Sequence, residues 1–305
     1  MHIPDGFLDT KTWVTTAAAS GIAITYAVRR ANQELEEKDP PLMGVLAAFI
    51  FAAQMINFPV AGGTSGHFLG AALAAILIGP WRAMLVLLSV VGVQAFLFGD
   101  GGISALGANV FNMAVIAPSV AYLIYGVVKR FSTPVAAFTA GLVSTVVTAL
   151  VVAVELYLSG TAPLAITASL MTGWHIVIGA AEGLITASTV GYLARIRPDL
   201  IHGNTALDVR SIAVFSSISV ALAVFLSPLA SSFPDGLERV AHDLGFIGKE
   251  TGLFNSLIPD YAIPGLQNEW LATGLAGLLG VGIALGVGFG LASIARRRQV
   301  GGETG

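Results

Sequence analysis

The sequence predicts an all-α polytopic membrane bundle, and three observations predict it. Hydrophobic residues make up 55% of the chain and charged residues 11%, where a soluble domain carries about 25% charged residues. Apolar runs long enough to cross a bilayer, which takes about 20 residues, recur along the whole length. Basic residues gather at alternate turns between those runs, the pattern that cytoplasmic loops produce. The 36 glycines suit close helix packing in lipid. A net charge of −3 is too small to suggest nucleic acid as a partner. With no cysteine in the chain, any metal ligand must be nitrogen, oxygen or thioether sulfur.

Element by element, the chain opens with Asp5 and Asp9 and no basic segment before its first apolar run, so it does not read as a secretory signal. Ile3-Pro4-Asp5-Gly6 reads as a tight turn that folds the terminus back into the bundle. About nine spans follow, seven plus two, at 12–28, 42–58, 68–80, 83–99, 107–128, 134–158, 172–194, 211–229 and 270–293. The third is short and bounded by glycine, as a re-entrant segment would be. Arg29, Arg30, Lys38, Arg82, Lys129, Arg130, Arg195, Arg197, Arg210, Arg296, Arg297 and Arg298 fall on one side of this arrangement; only Lys11, Arg239 and Lys249 fall on the other. That asymmetry places the N-terminus outside and the C-terminus in the cytoplasm of a plasma (inner) membrane.

Met1-His2 is the chemically richest dipeptide of the chain. The terminal amine and the His2 amide close a five-membered chelate ring around a metal. The same amide and the near imidazole nitrogen close a six-membered one. A fourth nitrogen completes a tetragonal N4 plane, the geometry that suits Ni(II) or Cu(II). Four other histidines can supply it. His202 lies in the cytoplasmic loop, His242 in an external one, and His175 near the outer end of the seventh span. His67 closes the external loop 57–67, whose three glycines and one proline let its backbone enter the membrane where protein covers it.

Met-His-Ile-Pro-Asp-Gly-Phe at the start, with Gly63-Thr64-Ser65-Gly66-His67 downstream, resembles the CbiM/NikM family, the substrate-capture (S) components of energy-coupling-factor transporters for cobalt and nickel. The resemblance covers residues 1–207. It implies that the amine of Met1, the amide and imidazole of His2 and the imidazole of His67 bind the ion, Ni(II) or Co(II), as transported substrate. It also implies partners: a transmembrane coupling subunit (T component) and two ATP-binding cassette ATPase subunits. Residues 208–305 resemble the PDGLE-type, NikN-like small subunit through Phe233-Pro234-Asp235-Gly236-Leu237-Glu238-Arg239-Val240-Ala241, with one span in, an external loop and one span back. Loop 230–269 carries six acids, Asp235, Glu238, Asp243, Glu250, Asp260 and Glu269, against Arg239 and Lys249, a net negative charge that gathers cations near the mouth.

Other residues invite other readings. Glu155 and Glu182 are acids inside spans, and intramembrane acids are functional by default. His175 and Glu182, seven apart, share a helix face and form either an ion relay or an interhelical hydrogen bond. Asn57, Ser65, Asn109 and Asn112 are candidates to fix the His67 tautomer. Ala19, Ala23 and Ala27 make a small-residue strip for helix packing or for docking of a coupling subunit. The chain has no phosphate-binding loop and no H-E-x-x-H helix, so ATP hydrolysis belongs to separate subunits. Three functions remain open: metal capture for ATP-driven import, with nickel slightly ahead of cobalt and its use in cobalamin synthesis; a stand-alone channel or secondary carrier; and a membrane enzyme built on His175 and Glu182.

Overall fold

The structure, a computed structural model, describes residues 1–201 and 208–300. Helix α1 (Thr10–Glu34) starts where the Asp9 side chain accepts a hydrogen bond from the Thr12 amide, satisfying a donor that no helical carbonyl reaches. Helix α2 (Asp39–Gln54) starts on Pro40 and Pro41, whose missing N–H groups have no helical partner to lose there. A short hairpin, β1 (Phe58–Val60) and β2 (Thr64–Gly66), pairs Phe58 with Gly66 and Val60 with Thr64. It adds a small sheet to the all-α expectation, made possible by Gly62 and Gly63 at φ 71°. Then come α3 (Ala71–Phe98), α4 (Leu106–Val128), α5 (Thr133–Leu158), α6 (Leu164–Ile196) and α7 (Val209–Leu229). The short surface helix α8 (Gly236–Asp243) and the long α9 (Glu269–Val300) complete the chain.

Six helices among the described residues are long and apolar enough to cross a bilayer, where the sequence suggested nine spans. Helix α1 is long but more polar, and α2 is apolar but has only 16 residues. The runs read at 68–80 and 83–99 both lie in α3, which is not one rod. Gly79 inside it has φ 76° and ψ 166°, so two helical arms meet at a break just before Pro80. The arm 71–78 is roughly 12 Å long at 1.5 Å per residue, about half the depth of a bilayer core. Large apolar side chains such as Ile22, Leu123, Val127 and Leu184 point outward, the surface that a multi-pass membrane protein turns to lipid. The boundary read at 207/208, with His202, Gly203 and Asn204, falls at or within 202–207, outside the described residues.

Glycines set the closest helix contacts. Helices α5 and α6 pack along their length, and a Cβ built on Gly183 would lie 2.5 Å from the Phe138 carbonyl oxygen. Helix α9 packs on α2, where Gly288 approaches the Gly44 Cα. Of the strip Ala19, Ala23 and Ala27, Ala27 is buried against Met84 and Val115, Ala23 packs beside them, and Ala19 is half-buried. One end of the bundle carries the ion pairs Arg82–Asp39 and Arg296–Glu37. The opposite end gathers the N-terminus, the hairpin, the loop 99–105 and the segment 230–268. Gly183→Ala is expected to destabilise the chain by roughly 1–3 kcal/mol through overpacking. Gly191→Ala on the same helix, where a Cβ meets open space, is expected to be neutral. Thermal unfolding in detergent reads both.

Candidate metal centre

The first seven residues thread into the protein instead of fraying. Ile3 and Phe7 are fully buried. Asn109 grips Ile3 from both sides: its Oδ1 accepts from the Ile3 amide at 2.8 Å and its Nδ2 donates to the Ile3 carbonyl at 3.0 Å. The Gly102 amide donates to the same carbonyl at 2.9 Å. Asp5 accepts at one oxygen from the backbone and hydroxyl of Ser104, at 2.7 and 2.6 Å. Its carbonyl takes the Thr251 amide from the C-terminal segment at 3.0 Å. Glycine is needed where the terminus passes, because a Cβ on Gly102 would sit 2.2 Å from the Asp5 nitrogen and one on Gly101 3.3 Å from the His2 Cβ.

This threading delivers the Met1 amine to two partners. His67 Nε2 lies 2.6 Å away, and Asp235 Oδ2 accepts from the amine at 2.6 Å. The His2 and His67 rings stack with centroids 5.4 Å apart and planes 16° from parallel. His2 Nδ1 meets Asp100 Oδ1 at 2.9 Å, and the Tyr261 hydroxyl donates to the other oxygen of Asp100 at 2.5 Å. The C-terminal segment therefore reaches the centre twice, through Asp235 and through Tyr261. It is seated by Ser65, whose amide donates to the Pro234 carbonyl at 2.8 Å and whose hydroxyl donates to that of Phe233 at 2.7 Å. Asp235 also caps α8, its second oxygen accepting from the Leu237 and Glu238 amides while Glu238 accepts from the Asp235 amide, a reciprocal capping box.

The electrostatics follow from burial and pairing. Burial, then the neighbouring Met1 ammonium and His2, push the His67 imidazole down to about 3. Burial raises the Asp235 carboxyl, but the Met1 ammonium and its hydrogen bond outweigh that and hold it well below the usual carboxylate range. Asp100 behaves alike: burial raises it, and His2 with the Tyr261 hydroxyl bring it far down. Glu238 is raised by burial and by the nearby Asp235 charge.

Met1, His2 and His67, singled out from the sequence, thus stand together. Side chains alone offer no group of three His, Asp or Glu able to hold a metal among the described residues; the gathering depends on main-chain nitrogen. His242 sits in the last turn of α8, exposed. His175 and Glu182 do not pair with each other. His175 Nδ1 bonds to the Met171 carbonyl at 2.7 Å, and Glu182 takes the Leu69 and Gly70 amides at 2.7 and 3.1 Å. Of the proposed tautomer-fixing residues, Asn109 holds Ile3, Asn112 donates to Glu155 at 2.7 Å and Ser65 seats the C-terminal segment. The Asn57 carbonyl accepts from the Ser231 amide. His67 Nδ1 faces the Phe68 carbonyl at 3.3 Å instead. Sequence reasoning missed Asp100, Gln94, Tyr261 and the pairing role of Asp235. Asp100, alone among glycines in Gly99-Asp100-Gly101-Gly102, was the one legible signal.

A family model described as the cobalt uptake substrate-specific transmembrane region matches residues 2–200, and the PDGLE domain matches residues 209–297. The fused nickel transport protein NikMN of Rhodobacter capsulatus is 33% identical over 347 residues, covering 97% of this chain and 99% of that one. Crystal structures of a truncated transition metal transporter and of a transition metal transporter superpose with TM-scores of 0.59 and 0.60. They are 38% and 37% identical, cover 64% and 67% of this chain, and are themselves covered over 99% and 96%. With one family model on most of its length, a second on the remainder and a transport protein matched end to end, this chain belongs to the cobalt-uptake substrate-specific transmembrane (CbiM) family, fused to a PDGLE segment.

Proposed function

We propose that the chain captures a divalent transition metal ion, Ni(II) ahead of Co(II), as the substrate-specific subunit of an ATP-driven energy-coupling-factor transporter. The observation that carries this reading is the 2.6 Å approach of the Met1 amine to His67 Nε2, beside the stacked His2 ring. Two nitrogens bound at right angles to one ion at about 2.0–2.1 Å stand roughly 2.9 Å apart. The amine and His67 are therefore already spaced much as neighbouring ligands of one ion. The His2 amide and imidazole supply the other two corners of an N4 plane, which favours Ni(II). Asp235 holds the amine and Asp100 holds His2 Nδ1. The ion takes over both nitrogens, and the two carboxylates give them up. The relative named as a fused nickel transport protein supports nickel. The partners, a coupling subunit and two ATPases, follow from the family resemblance, as does the orientation with the centre on the outer face of the plasma membrane.

Burial and the neighbouring ammonium push the His67 imidazole down to about 3, which disfavours a proton on the nitrogen that meets the ion. Binding releases protons, because the amine that donates to Asp235, the His2 amide and the His2 Nδ1 that faces Asp100 each give up a hydrogen to ligate the ion. Lowering pH restores them and weakens binding. Calorimetry in buffers of different ionisation enthalpy is expected to count that release; none would exclude a deprotonated amide ligand. One residue added before Met1 is expected to abolish tight binding, because the chelate loses its amine. His2→Ala and His67→Ala are each expected to remove it too, while His242→Ala keeps wild-type affinity in the same titration.

Uptake separates this reading from a stand-alone channel or carrier. Nickel accumulation in cells is expected to require co-expressed coupling and ATPase subunits, and to fall sharply when residues 208–305 are removed. Accumulation at full rate by this chain alone would reject the coupled mechanism.

A further inference from the structure

A row of hydrogen bonds beside the metal centre has a direction fixed by its far end. The Leu69 carbonyl can only accept, and Gln54 Nε2 donates to it at 2.7 Å. Gln54 Oε1 is thereby the free end of that amide, and Gln94 Nε2 donates to it at 2.8 Å. This leaves Gln94 Oε1 facing His2 Nε2 at 3.1 Å. The orientation of a buried amide is normally ambiguous, but here a backbone carbonyl settles it. Both glutamines are buried, Gln94 completely, so water does not reset the order.

We propose that Gln54 and Gln94 are positioning residues that keep a hydrogen on His2 Nε2, so that Nδ1 is the nitrogen presented to the ion. The proposal rests on His2 being a ligand, as argued above. Its chemical content is the chelate ring. Only Nδ1 closes a six-membered ring with the His2 amide; Nε2 is one bond too far around the imidazole. Nδ1 gives its own hydrogen to Asp100 Oδ1 at 2.9 Å, and that is the hydrogen that leaves when the ring closes, while the one on Nε2 stays. Gln94 Oε1 opposes loss of the Nε2 hydrogen instead, because an oxygen facing a bare Nε2 repels it. The partner of the non-ligating nitrogen is what fixes a metal-bound histidine elsewhere, and here that partner is itself aligned by a second amide.

The row also connects the two histidines. It ends at Leu69, two residues beyond His67, and the Leu69 and Gly70 amides are held by the two oxygens of Glu182. Gln54 is the last residue of α2, and Gln94 opens a five-residue stretch of π-helix, Gln94–Phe98. Such wide turns are frequent at functional sites, and this one carries Gln94 at one end and leads into Asp100 at the other.

The test uses the full chain in detergent, titrated with Ni(II) alone. Gln94→Leu removes the acceptor and is expected to weaken binding about 10–100-fold. Gln94→Glu keeps an acceptor that cannot turn a donor toward His2 and is expected to stay within a few-fold of wild type. Gln54→Leu touches no ligand and is expected to cost a smaller, measurable factor. In the Gln94→Glu background the same change is expected to cost nothing further, because a carboxylate needs no alignment. A Gln54→Leu loss of equal size in both backgrounds, or a Gln94→Glu loss as large as that of Gln94→Leu, would reduce these residues to packing and overturn the proposal. His2→Ala run alongside separates the two levels. Retained binding there defeats the ligand assignment itself, whereas lost binding there with an unaffected Gln94→Leu defeats only the alignment by glutamine.

Discussion

The structure is organised around a buried chain terminus. An ammonium group withdrawn from water is costly unless it is paired and hydrogen-bonded, and Met1 is almost fully enclosed. Asp235 supplies the compensation, and Asn109, Gly101 and Gly102 hold the following residues so that the amine arrives where Asp235 and His67 wait. Removing the carboxylate would leave an unpaired buried charge, the arrangement that destabilises most. The anchoring of the first seven residues, the shape of the hairpin and the docking of α8 all serve that single contact.

The two parts of the chain are therefore interlocked more deeply than their separate family matches suggest. The PDGLE segment provides Asp235 to the amine, Tyr261 to Asp100 and the Thr251 amide to Asp5. Its last helix lies against α2 with glycine facing glycine. The acidic loop around it adds a long-range attraction for cations, effective over a Debye length of about 8 Å at physiological salt. Close to the centre that attraction becomes specific: Asp235 and Asp100 carry full negative charge and each holds one of the nitrogens proposed to bind the ion.

How much of this was legible in the sequence depended on the range of the interaction. The proposed Met1-His2 chelate is local, so two residues announce it. His67 was eligible because its loop is rich in glycine and stands at the same end of the bundle, and the family resemblance singled it out from five histidines. The apolar runs marked most helices but not their continuity. Gly79-Pro80 divides one helix into arms of unequal length, and α1 is more polar than a lipid-embedded rod. The partners of the ligands were not legible, since Asp100, Gln94 and Asp235 approach the terminus from distant parts of the chain and no local pattern records it. Glu182 was visible as an intramembrane acid, but its use, holding two backbone amides beside His67, required the fold. His175 and Glu182 share a helix face but bond to backbone groups and not to each other, because a shared face does not make two side chains meet.

The contact between Met1 and Asp235 spans 234 positions, and that separation has a consequence for biogenesis. On a ribosome the first residue emerges long before its counter-ion exists, and even Tyr261 follows later still. The early helices must enter the bilayer with their amino end unsatisfied and solvated. The terminus can be drawn inside only after the segment 230–268 has been made and brought back across the bundle. Contacts of such long range form late and slowly. The candidate metal centre is thus among the final features to appear during synthesis, and a nascent chain stalled before residue 235 would display its first two residues to water, without the carboxylate that later encloses them.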